Sequence, residues 1–196
     1  MLFDIESILV AFGYSALFGI VFAETGLLVG FFLPGDTLLA TAGILASKGI
    51  LDLWLVILAC SVAAVVGDSV GYFIGQRYGK RLFEKEEGMF FKRSHLETAR
   101  AFYEKHGGKT IFLARFVPVV RTFAPVLAGV GDMEYKRFLS FNVFGGIFWV
   151  VSVTLAGYFV GGLLPNAIEY TAFAVLAVVV LSLLLPLILR AVRKKR

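Results

Sequence analysis

Cysteine is nearly absent from this 196-residue chain. Cys60 stands alone in an apolar run, so no disulfide framework can form within one chain, and it reads as a small buried hydrophobe. Histidine is scarce too. His95 and His106 share one polar loop with no cysteine or further histidine nearby, so no metal site is expected, and no cofactor. Charge is thin, with 17% of residues Asp, Glu, Lys or Arg against 59% hydrophobic. The net charge of +5 does not point to nucleic acid, because the basic residues gather in one central loop and one tail instead of striping a soluble face. No Lys or Arg precedes Lys48, while Asp4 and Glu6 stand near the start. That is the wrong charge for a cleavable signal peptide.

What fills the chain is apolar sequence. Apolar runs lie near 8–33, 37–47, 52–75, 111–131, 138–164 and 170–189, and several reach the roughly 20 residues a bilayer crossing needs. An all-α integral membrane protein is the expectation. Between 76 and 110 lies the one long polar stretch, with nine Lys or Arg, and the tail 190–196 is also basic. The positive-inside rule places both in the cytoplasm. Three crossings between loop and tail would put them on opposite sides, so one segment must not cross.

The segment to demote is 111–131, which holds Arg115, Arg121, Pro118 and Pro125. Arginine at the bilayer centre costs roughly 2.5–3.5 kcal/mol even on the lenient insertion scale. The segment is expected to be a re-entrant hairpin, buried in protein or lining a cavity. Pro34-Gly35-Asp36 breaks the earlier apolar stretch in the same way, so 24–47 reads as a second hairpin. Residues 8–23 read either as a short span or as an interfacial helix.

The halves match one another. Phe32-Leu33-Pro34 answers to Phe116-Val117-Pro118, Ala42-Gly43 to Ala128-Gly129, and Gly71 to Gly75 to Gly157 to Gly161, at offsets of 84, 86 and 86 residues. The expected plan is an inverted repeat of hairpin plus transmembrane helix. Repeat 1 covers about 24–75 and repeat 2 about 111–164. A cytoplasmic amphipathic helix lies within 76–110, and a C-terminal helix at 170–189 precedes the basic tail. Such repeats place substrate sites near the midplane. Glycines at 67, 71, 75 and 79 line one helix face for close packing, within the chain or across a homodimer. Trp54 and Trp149 read as interface anchors.

Glu24 and Asp36 in one hairpin balance Arg115 and Arg121 in the other. Arginine presents a planar fork suited to phosphate, so Arg115 and Arg121 are expected to bind an anionic headgroup. Sheltered carboxylates can exchange protons near neutral pH, so Glu24 and Asp36 are assigned to proton coupling or gating. Asp68 reads mainly as structural and Asn142 as an interhelical hydrogen-bonding group, with Pro34, Gly35, Pro118 and Pro125 in support.

Together these residues carry a resemblance. Glu24 with Phe32-Leu-Pro34-Gly35-Asp36, the run from Gly67 to Gly75, the run from Phe112 to Gly129, and Phe141-Asn142-Val-Phe-Gly145 with Trp149 resemble the DedA family (the SNARE-associated, or VTT, domain) over about residues 10–190. The resemblance implies a bacterial or archaeal plasma-membrane protein, multi-pass, with two opposed re-entrant hairpins. It implies lipid movement between leaflets, in one branch of undecaprenyl phosphate. The family's acidic pair matches Glu24 and Asp36 and its arginine pair Arg115 and Arg121. The chain is short for the family, which implies that accessory helices are missing.

The leading expectation is a lipid-phosphate translocase whose partners are membrane lipids and coupling protons. A proton-coupled small-cation or drug transporter and a general phospholipid scramblase are the alternatives. An intramembrane enzyme is not expected, because no nucleophile with a positioned acid or base is visible. A non-transporting assembly factor would tolerate neutralising all four charges.

Overall fold

A computed structural model describes residues 5–26, 35–79, 107–115 and 118–163, with side chains from Phe12 onward except at Pro118 and Val119. Every regular element among them is helical: α1 (Ile5–Gly26), α2 (Gly35–Ser47), α3 (Leu53–Ile74) with a π-helical extension Gly75–Gly79, α4 (Lys109–Ala114), α5 (Pro118–Val130) and α6 (Tyr135–Leu163). Pro34, both histidines, the expected amphipathic helix, the C-terminal helix and the basic tail lie outside the described residues.

Local chemistry sets the helix ends. Asp52 caps α3, its Oδ1 accepting from the Leu55 amide at 2.8 Å. The turns after α2 and α5 close alike. The Ile50 amide donates to the Leu45 carbonyl at 3.1 Å, and the Met133 amide to the Ala128 carbonyl at 3.0 Å. Each has one left-handed residue just before the donor, Gly49 at φ 75° and Asp132 at φ 55°. These are Schellman-type stops, in which glycine and, less often, Asp or Asn tolerate positive φ.

Leu53–Gly79 and Tyr135–Leu163 are long and apolar enough to cross a membrane. Helix α5, with 13 residues, reaches only about 20 Å at 1.5 Å per residue, short of the ~30 Å hydrocarbon core; α2 has the same length. Helix α1 runs unbroken for 22 residues. Glu24 therefore sits on the last turn of a long first helix, not inside a hairpin that begins at residue 24.

The packing is crossed. α1 lies on α3 and α4 on α6, each with the long helix that follows it in its own half. α2 instead packs chiefly on α6, and α5 on α3 and its extension. Glycines permit both crossed seams. A Cβ at Gly43 would fall on the Thr154 carbonyl, and one at Gly157 on the Ala40 carbonyl. On the other seam, a Cβ at Gly75 would meet the Val126 carbonyl, and one at Gly129 the Tyr72 carbonyl. The four-residue glycine spacing thus serves packing within the chain: Gly67 faces α1, and Gly75 and Gly79 face α5.

One core gathers Val21, Leu39, Val56, Cys60 and Val150 around Trp149. Trp149 is only 4% exposed, so it is no interface anchor; Trp54 is 75% exposed. A second core packs Tyr72, Ile111, Ala128 and Phe138, with the Tyr72 hydroxyl donating to the Met133 carbonyl.

The seams yield a stability test. Gly43→Val and Gly129→Val should each destabilise the fold by about 1–3 kcal/mol through overpacking against backbone. Gly13→Ala and Gly19→Ala, where a Cβ meets nothing within 4 Å, should not lower the thermal midpoint in detergent. Equal midpoints in all four would contradict this packing.

Candidate functional site

Arg121 lies on the first turns of α5, one helical turn before the internal Pro125. Proline has no amide hydrogen, so position 125 cannot donate to the Arg121 carbonyl, and the helix is weakened there. The Arg121 side chain reaches across to the other half of the chain. Its Nη1 donates to Asp36 Oδ1 at 2.8 Å, and its Nη2 donates to Glu24 Oε1. The two carboxylates come from different helices, the last turn of α1 and the first turn of α2.

The start of α2 favours this arrangement. A helix N-terminus carries partial positive charge and attracts carboxylates. Gly35 opens α2, and a Cβ there would overlap the Glu24 carboxylate. Glycine is what lets the acid lie against the helix end. Glu24 Oε2 rests there, buried against the start of α2.

Trp149 completes the cluster, and the sequence reading missed it. Its indole Nε1 donates to Asp36 Oδ1 at 2.7 Å. The Arg121 guanidinium carbon sits 4.9 Å from the Trp149 ring centroid, a cation–π distance. The signals in the sequence were its place among the residues that carry the family resemblance and its indole, an aromatic side chain with an obligate N–H donor, near the middle of a span.

Arg115 does not join this group. It ends α4, and its Nη2 donates both to Asp68 Oδ2 on α3 and to Asn142 Oδ1 on α6. Asn142 in turn donates from Nδ2 to the Val65 carbonyl at 3.0 Å. Gly145 and Gly146 make the recess for Arg115, since a Cβ at either would stand 3.0–3.3 Å from its side chain. The whole knot is shut in: Arg115 is 5% exposed, Asp68 4% and Asn142 0%. Four charges in one chamber were expected from sequence. The structure instead forms two neighbouring clusters, with Asp68 as the fifth charge.

The clusters differ in access. Side-chain exposure is 1% at Glu24 and 11% at Arg121, but 46% at Asp36. The Arg121 cluster therefore opens through Asp36, and the Arg115 cluster does not open. Across both, three carboxylates face two guanidiniums, an excess of one negative charge if all are ionised. No group of three or more His, Cys, Asp or Glu able to hold a metal occurs among the described residues. Pro125 is buried beside Gly71. Pro118 begins α5.

The VTT domain model matches residues 33–159. Protein DedA of Escherichia coli K12 is 47% identical over 185 residues, covering 93% of this chain and 84% of that protein. An uncharacterized membrane protein of Mycobacterium leprae is 47% identical over 169 residues, 86% of this chain and 75% of its own. The inner membrane protein YqjA of E. coli K12 is 36% identical over 148 residues, 76% of this chain and 67% of its own. No solved structure matches.

The sealed knot predicts a large structural penalty. Removing one partner of a buried ion pair costs about 3–5 kcal/mol, while replacing both by apolar groups can be nearly neutral. Asp68→Leu should therefore lower the thermal midpoint far more than Asp68→Leu combined with Arg115→Met. Additive losses in the double variant would contradict a closed pair.

Proposed function

The chain belongs to the DedA family of VTT-domain membrane proteins, and on that premise we propose that it is a bacterial inner-membrane translocase for a lipid phosphate. Undecaprenyl phosphate is the substrate we put first. The observation that carries the reading is Arg121, a planar two-pronged donor held between two carboxylates and reachable past a half-exposed Asp36. A phosphate offers the same pair of acceptor oxygens as those carboxylates, and a guanidinium fork receives them with bidentate geometry.

In this reading the C-terminal end of α1 with α2, and α4 with α5, are the arms of two opposed re-entrant hairpins. The basic loop 76–110 and the C-terminus are cytoplasmic. The headgroup passes through the polar cluster at the hairpin meeting point while the prenyl tail stays in lipid. Arg115, neutralised by Asp68, holds the second hairpin to both long helices. The protein performs no covalent chemistry.

Charge balance supplies the coupling. The resting cluster already carries excess negative charge, so an anion entering beside Glu24 and Asp36 meets repulsion. A proton on either carboxylate relieves it and releases an Arg121 prong. Proton uptake thus accompanies headgroup uptake, and proton release on the far side gives direction. The same excess of carboxylates favours a second reading, a proton-coupled transporter of small cations in which Asp36 and Glu24 bind the substrate and the arginines only set their charge.

Reconstitution in vesicles separates the readings. A leaflet-specific assay should show translocation of undecaprenyl phosphate and not of phosphatidylcholine. Arg121→Lys keeps the charge and loses the fork, so it should slow translocation by about tenfold or more, the scale of a lost charge-assisted hydrogen bond. Full activity in Arg121→Lys, or equal movement of both lipids, would contradict the phosphate reading.

A further inference from the structure

Asp36 Oδ1 is the point on which two different donors converge. Arg121 Nη1 reaches it at 2.8 Å and Trp149 Nε1 at 2.7 Å, from α5 and α6 respectively. The indole is buried and packed into the first core. Its ring lies 4.9 Å below the Arg121 guanidinium, so the two donors are also held against each other. Asp36 is the one member of the cluster with room to leave, its side chain 46% exposed at the first turn of α2.

We propose that the position held by Asp36 Oδ1 is a preformed subsite for one phosphate oxygen of the substrate, with the Trp149 indole N–H as a direct ligand beside Arg121. The Asp36 carboxylate is an internal stand-in for the headgroup. It keeps both donors satisfied while the site is empty and swings toward its exposed side when the anion arrives. This deepens the lipid-phosphate reading and rests on it. It is more specific, because it names an N–H that a purely electrostatic site would not need. It also accounts for a tryptophan, not a phenylalanine, beneath the arginine: a phenyl ring supplies the cation–π face but no donor.

The chain contains only one other tryptophan, the exposed Trp54. Trp54→Phe therefore makes Trp149 the sole indole reporter without touching the cluster. The full chain in micelles would be titrated with hexadecyl phosphate, with hexadecanol as the uncharged control and inorganic phosphate as the tail-less one. Hexadecyl phosphate should shift Trp149 emission saturably, and hexadecanol should not. Trp149→Phe should remain folded, with a thermal midpoint lowered by the lost indole volume and hydrogen bond, and bind hexadecyl phosphate about ten- to a hundredfold more weakly by equilibrium dialysis, the range for a lost hydrogen bond to a charged group.

A folded Trp149→Phe that binds as tightly as the unmodified chain overturns the subsite and leaves the phosphate reading standing. So does an unchanged Trp149 emission at saturating hexadecyl phosphate, which decides the matter even if Trp149→Phe does not fold. Failure of the unmodified chain to bind hexadecyl phosphate overturns the phosphate reading itself. An equal response to inorganic phosphate upholds the subsite and assigns it to a free anion, without a contribution from the lipid tail.

Discussion

One guanidinium organises this membrane domain. Arg121, on α5, is held by Glu24 from α1, by Asp36 from α2 and by the ring of Trp149 from α6. Taking an arginine out of water is expensive unless its donors are met, and no single neighbouring helix meets them all. Four helices must therefore arrive together. The crossed packing delivers them, because α2 leaves its own half to lie on α6 while α5 lies on α3. Glycine seams let those backbones approach closely, and Gly35 lets Glu24 lie against the start of α2.

The second arginine shows what a closed pair looks like beside an open one. Arg115 is wedged over Gly145 and Gly146, shared between Asp68 and Asn142, and buried on every side. It ties α4 to both long helices. Arg121 differs in one respect that matters for the proposed transport: one of its two carboxylates is half exposed. An anion that competes for Arg121 displaces a side chain that has somewhere to go. The same anion at Arg115 would have to displace Asp68, which has nowhere to go. Burial alone thus separates a closed ion pair from one with an exposed partner, both built on the same residue type.

Much of this was legible in the sequence. Arginines in an apolar, proline-broken run are costly enough to mark a site without any structure. Asp36 and Arg121, placed in opposite hairpins by the sequence, do meet. Charge compensation between the halves was therefore readable, but the partition of charges was not. Asp68 pairs with Arg115 because α3 and α4 sit together, a tertiary fact with no local signature. Trp149 was misread for the same reason: near the middle of a span, an anchor and a buried donor have the same residue type, and only packing separates them. The start of the first hairpin was misplaced because α1 stays apolar through Glu24, with no breaker to show that the acid belongs to a helix end.

Charge balance gives the most direct test of the claim that a phosphate takes Arg121 only as a carboxylate gives up its charge. Calorimetric titration of hexadecyl phosphate into the purified chain, repeated in buffers of different ionisation heat, reads the protons exchanged on binding. Net proton uptake is the expected result, with affinity falling as pH rises. Binding with no proton exchange, at the same affinity across that pH range, would contradict it.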